Sequence, residues 1–341
     1  MLRNARMLLK TFSSLGRQFS TTQTSNSRVC VIGACGNVGQ ALSLLLKRDD
    51  LVTVLSLYDL KKAIGMALDM SHVDTNSEVA GFEKIEMLPK ALYCADVVVI
   101  VAGQPRKKGI SEDEMLKQNS GIIFEVMPAI AEVCPKALIA IVTGPTNAIV
   151  PLAAEVLKTK DAHDPNRLFG VTTHNVVRAR TFISDELQVD ASIVKVPVIG
   201  GNSPCTILPL LSHTKPKFKI EDEDDAMPII RKVREAEDQV AAVKGDQGAT
   251  LVIAHSVAKF THSLLMGLAG KGDPKECAYV ESAVTDSAFF ATPLKLGKQG
   301  IEKNLGIPDL AKFEAELLHE LMPELKESIK KGIDFAKKMK K

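Results

Sequence analysis

Tryptophan is absent from the 341 residues, and aromatic side chains make up only 4% of them. That poverty excludes the stacking platforms that single-stranded nucleic acids require. No uninterrupted apolar run approaches the roughly 18 residues of a membrane span, so the chain is read as soluble, with no membrane partner. The six cysteines (Cys30, Cys35, Cys94, Cys134, Cys205 and Cys277) form no C-x-x-C pair and have no histidine beside them at ligand spacing. They are expected to be small buried hydrophobes in a reducing compartment, with no metal. Lys and Arg together number 43 against 41 acids, a net charge of +2, so nothing calls for nucleic acid or another polyanion as partner. The length suits one large or two medium domains.

A further absence is local: no acid occurs before Asp49. Arg3, Arg6, Lys10 and Arg17 alternate there with Leu2, Leu8, Leu9, Phe12, Leu15 and Phe19, among many Ser and Thr residues. The apolar run is too short and too interrupted for a secretory signal. A basic, amphipathic, acid-free leader over residues 1–26 reads as a mitochondrial transit peptide addressed to the matrix, with a disordered basic tail as the other reading. Its loss removes four positive charges and leaves the remainder slightly acidic.

What is present begins with short apolar runs at residues 29–32, 52–58, 96–101 and 137–142. Helical patterns separate them at 38–47, 63–70 and 114–133. Near-continuous apolar strands alternating with helices predict an α/β fold with a doubly wound parallel sheet covered on both faces. After about residue 172 the rhythm changes. Helices are expected at 226–243, 249–268 and 310–338, with short strands near 195–199 and 279–284, an α+β pattern. The acidic patch at 221–225 is read as a solvated loop. This divides the chain into a dinucleotide-binding domain at 27–172 and a second domain at 173–341.

Gly33-Ala34-Cys35-Gly36-Asn37-Val38-Gly39 is a G-x-x-G-x-x-G turn between the first strand and first helix. Glycines suit such a turn because the chain reverses tightly and its backbone must approach a pyrophosphate, which then meets a helix N-terminus. Asp59 follows 20 residues after Gly39, at the end of the second strand. An acid there binds both ribose hydroxyls and repels the extra phosphate of NADP, so the expected cofactor is NAD.

From Ser27 onward the sequence resembles the mitochondrial malate dehydrogenase branch of the malate/lactate dehydrogenase family. The resemblance rests on collinear segments: Leu57-Tyr58-Asp59, residues 101–107 (VAGQPRK), 169–173 (FGVTT), 196–201 (VPVIGG) and 298–306 (KQGIEKNLG). It implies a Rossmann-type nucleotide domain, a substrate and dimerisation domain, and NAD-dependent interconversion of malate and oxaloacetate. Such a reaction needs a base of near-neutral pKa on the C2 oxygen. A histidine held by an aspartate fits, with arginines for two carboxylates. In the family these are one His, one Asp and three Arg.

Carried over by position, the match is partial. Arg106 and Arg178 stand where two substrate arginines are expected, whereas Glu112, in the mobile loop at 109–113, replaces the third. Asn175 stands at the Asp position and Asn202 at the His position. Gly144 replaces the asparagine that opens an N-P-x-N segment. On the cofactor side Asn119 and Val142 are retained beside the glycine turn and Asp59. A carboxamide donates a hydrogen bond but cannot take up and return a proton near neutrality. The expectation is therefore a catalytically impaired pseudoenzyme. Asn175 is expected to hydrogen-bond Asn202, and Glu112 to pair with Arg106 or Arg178. His174 is expected to pack at an apolar position rather than act as a displaced base, and His213 and His255 to be surface or core residues. Three roles stay open: a residual or repurposed oxidoreductase acting on a small dicarboxylate, a non-catalytic partner in a homodimer or heterodimer, and a structural or storage protein.

Overall fold

The computed structural model describes residues 27–104, 110–217, 220, 222–245 and 248–338. The leader and Arg106 lie outside the described residues. β1 (Ser27–Ile32), α1 (Asn37–Lys47), β2 (Val52–Asp59), α2 (Ala63–Met70), β3 (Glu78–Glu83), α3 (Leu88–Leu92), β4 (Val97–Ile100), α4 (Glu112–Val133), β5 (Leu138–Ile141), α5 (Thr146–Lys158) and β6 (Leu168–Val171) follow one another. Strands β3-β2-β1-β4-β5-β6 pair in parallel in that order, the doubly wound arrangement whose cleft opens beyond the strand C-termini.

The apolar strands expected from the sequence are present because both sheet faces are covered. Alternate β1 and β4 residues belong to opposite cores: Cys30, Ile32, Val98 and Ile100 to one, Val29, Val31, Val97 and Val99 to the other. With side chains alternating, a strand buried on both faces must be apolar throughout.

The second half contains α6 (Thr173–Leu187), β7 (Val198–Gly200), β8 (Ile207–Pro209), α7 (Glu223–Lys244), α8 (Leu251–Leu268), β9 (Lys275–Glu281), β10 (Phe289–Gly297), β11 (Gly300–Asn304) and α9 (Lys312–Lys338). Its antiparallel strands extend the same sheet, since β6 pairs with β9 through Gly170–Tyr279 and Val171–Ala278. Helix α8 is long and apolar enough to cross a membrane by length and composition. Here it is a core helix, with Ala254, Val257, Phe260, Leu264 and Leu265 buried and Phe260 edge-on to Phe169 of β6 at 5.6 Å.

Four expectations need correction. The strand expected at 195–199 is β7, shifted toward the glycines, with Lys195 making only a bridge to Lys215. The strand expected at 279–284 is β9, ending at Glu281. Among the described residues of the acidic patch, Asp222 is the N-cap of α7 and accepts the Asp225 N–H, while Glu223, Asp224 and Asp225 form its first turn. Acids there complement the helix dipole, so the patch starts a helix instead of forming a loop. Finally, only Cys30, Cys134 and Cys277 are buried. Cys35 is half-buried, and Cys94 and Cys205 are exposed.

Candidate active site

The glycine turn closes tightly. Gly33 has φ +88°, and a Cβ there would lie 2.5 Å from the Ala102 backbone; at Gly39 it would lie 2.1 Å from the Gly33 carbonyl. Gly36 is the N-cap of α1 without a side-chain cap, so the first-turn amides keep the free N–H groups of a helix start. Asp59 ends β2 and accepts the Cys35 and Leu60 N–H groups at 2.9 and 2.8 Å, which hold its carboxylate beside the turn. Gly36, Asn37, Val38, Val101 to Gln104 and Val142 line one side of a cleft of about 430 Å³. The donor set and the side-chain-free turn fit a dinucleotide.

The other side of the cleft gathers Glu112, Met115, Gly144, His174, Asn175, Arg178, Asn202, Arg234 and Glu237. Asn175 and Arg178 project from α6, which starts where β6 ends, and Asn202 follows the glycine pair closing β7. The expected amide pair exists: Asn175 Nδ2 donates to Asn202 Oδ1 at 2.8 Å. Asn202 Nδ2 donates to Thr146 Oγ1 at 2.9 Å, and its backbone N–H to Asn147 Oδ1 at 2.7 Å. Both ends of the Asn202 carboxamide are thus engaged, and Asn175 is fully buried.

Three candidates stand elsewhere than expected. Glu112 is not a mid-loop residue but the first of α4, because Ser111 caps the helix by accepting the Glu114 N–H, in a Ser-x-x-Glu start. Of the two partners expected for Glu112, Arg106 lies outside the described residues, and Arg178 is paired elsewhere. Its Nη2 donates to Glu237 Oε2 at 2.6 Å. Asn119 lies behind the cleft wall: it accepts the Gln104 N–H at 2.8 Å and donates to the Gly144 carbonyl at 2.7 Å, joining two wall segments.

His174 is buried, as expected, but it also lines the cleft. Burial, then the neighbouring Arg178 charge, push its pKa down to about 3, against a weaker pull upward from Asn202. It is therefore neutral and a poor proton acceptor. His213 binds the Asp309 carbonyl and His255 is exposed; neither lines the cleft. The His174 shift sets a stability test. Its folded-state pKa lies below that of the free imidazole, so the unfolded chain binds the extra proton. Stability is whole above about pH 6.5 and falls as pH drops toward 3. The wild type is expected to lose about 2 kcal/mol between pH 7 and 5 through this residue, a loss His174→Leu removes. Urea melts with parallel acid limbs in the two proteins would refute it.

Reasoning from the sequence missed Glu237 and Arg234. Both sit on α7, where the buried stripe Ala226, Ile230 and Val233 continues. Charged residues at stripe positions of an amphipathic helix were the available signal.

Comparison with known proteins agrees with this geometry. The sequence model for the lactate/malate dehydrogenase NAD binding domain matches residues 27–170, and that for the family's alpha/beta C-terminal domain matches residues 172–336. The chain belongs to the lactate/malate dehydrogenase family. It is 44% identical to the mitochondrial malate dehydrogenase of Felis catus over 329 residues, 96% of this chain and 97% of that protein. With the human mitochondrial enzyme the identity is 43% over the same shares. Two solved structures share the fold at 23% identity and TM-score 0.77. They are the malate dehydrogenase of Cryptosporidium parvum, covering 90% of this chain and 99% of that one, and the lactate dehydrogenase of Eimeria maxima with NADH and oxamate, covering 95% and 98%. The family's cofactor, NAD, fits the turn, Asp59 and the cleft wall described above.

Proposed function

We propose that this family member binds NAD and interconverts malate and oxaloacetate weakly or not at all. Residues 27–172 serve the cofactor, and 173–341 the substrate and dimer contacts. The observation that carries the reading is the Asn175–Asn202 hydrogen bond. Where the reaction needs a base to relieve the C2 hydroxyl of its proton, the chain presents two amides, one hydrogen-bonded to the other. When bound, the cofactor supplies hydride transfer; at the two positions where the family resemblance places the proton-moving pair, this chain carries Asn175 and Asn202. His174 does not fill the gap, because its pKa is far below the working range of a general base.

The mitochondrial names of the relatives and the acid-free leader support a matrix location. Exposed apolar side chains on α1 (Leu44, Leu45), α2 (Ile64, Leu68) and the start of α8 (Leu251), with Leu60 beside α2, support a role as one subunit of a homodimer or of a heterodimer with an active relative. The test is direct. NADH titration by fluorescence should show saturable binding, while oxaloacetate reduction should run about 10²–10⁴ below that of an intact family enzyme. Oxaloacetate consumption at the family's ordinary rate would overturn the proposal.

A further inference from the structure

Arg178 is one of the two cations whose side chains are described in the cleft wall, and it is already occupied. It is 7% exposed, and Glu237 meets its Nη2 at 2.6 Å. The other oxygen of Glu237 accepts the Ala249 N–H at 3.1 Å, which ties the segment after α7 to the pair. Both carboxylate oxygens are therefore engaged, one by a guanidinium and one by a backbone amide, in the manner of a bound carboxylate. The pair is no surface contact: the Arg178 side chain is 8% exposed and that of Glu237 28%.

We infer that Glu237 is an internal carboxylate occupying the anion seat of Arg178, and that it makes the cleft discriminate against small dicarboxylates. The inference rests on the proposed reading of this cleft as a former malate site. Physically it is a competition. A carboxylate on α7 is tethered beside the guanidinium and competes at a high effective concentration, whereas a free diacid must first be captured from solution. Displacing it leaves a partly buried carboxylate without its cation, which penalises the diacid again.

The experiment measures binding, not turnover. Tartronate has two carboxylates and no carbonyl to reduce; its affinity for the NADH-saturated full chain is measured by calorimetry. Glu237→Gln keeps an acceptor for the Ala249 N–H and is expected to bind tartronate at least about tenfold more tightly than wild type. Glu237→Ala provides the same comparison should the Gln variant fail to fold, as judged by its melting transition. Adding Arg178→Met to either variant should abolish the gain. Equal tartronate affinity in wild type and in a folded Glu237 variant, or a gain that survives Arg178→Met, would overturn the inference. A wild-type chain that reduces oxaloacetate briskly would instead sink the proposed loss of activity. The two failures are therefore read in different assays.

Discussion

Replacing Asn202 by His and Asn175 by Asp together is expected to raise oxaloacetate reduction by about 10²–10⁴, the usual worth of a positioned acid–base group. The geometry favours this outcome because the two side chains already meet at 2.8 Å on a rigid frame of α6 and the β7 end. A histidine there would find its orienting carboxylate at the distance the asparagine amide now spans. Adding Glu112→Arg should raise the rate further. At about 5 Å and an effective dielectric near 20, each charge pair contributes roughly 3 kcal/mol before screening. Gly144→Asn is compatible with the fold, since a Cβ there would lie 3.4 Å from the end of the Met115 side chain. The initial rate of NADH oxidation is the measurement. A double variant that is folded, binds NADH and still shows the wild-type rate would show that the amide pair is not what limits this protein.

Asn175→Asp alone should be costly in the opposite sense. Asn175 is fully buried, its Oδ1 has no hydrogen-bond partner among the described residues, and its neighbour His174 is neutral. A lone carboxylate in that position is an uncompensated buried charge, worth about 3 kcal/mol or more of lost stability near neutral pH. Burial raises the pKa of such an acid above its unfolded value, so the folded form holds the proton and the penalty grows as pH rises. The gap to wild type should be small near pH 4 and widest near pH 7. Adding Asn202→His should recover part of the loss by supplying a cationic partner. Urea denaturation of the three proteins across pH decides it: a single variant as stable as wild type, or a double variant less stable than the single, would contradict the account. The prediction also explains why both positions carry asparagine, since the neutral pair avoids the cost that either half of the acid–base couple would incur alone.

The strands and helices that could be read from the sequence were those whose patterns are local. β1, β2, β4 and β5 are apolar because both faces of the sheet are covered, and α1 and α2 carry clear helical spacing. β3 was not read, because this edge strand is only half-buried and carries acids at both ends. α5 was missed because it is buried on nearly all sides and contains Pro151, which leaves neither a polar face nor an uninterrupted pattern. The start of α4 at Glu112 was legible in principle from Ser111 and Glu114, yet the loop reading overrode that cap signal.

By itself the sequence determined the family and its NAD cofactor, because these depend on residue type at fixed spacing in collinear segments. It also anticipated the contact between Asn175 and Asn202, since both positions belong to one constellation. Only the tertiary structure decided who meets Arg178. Glu237 lies 59 residues away on another helix, and the packing of α7 against α6, not any spacing along the chain, brings its carboxylate to the guanidinium. The placement of His174 was settled in the same way. Its charge state follows from burial and from the neighbouring arginine, quantities that exist only once the chain has folded.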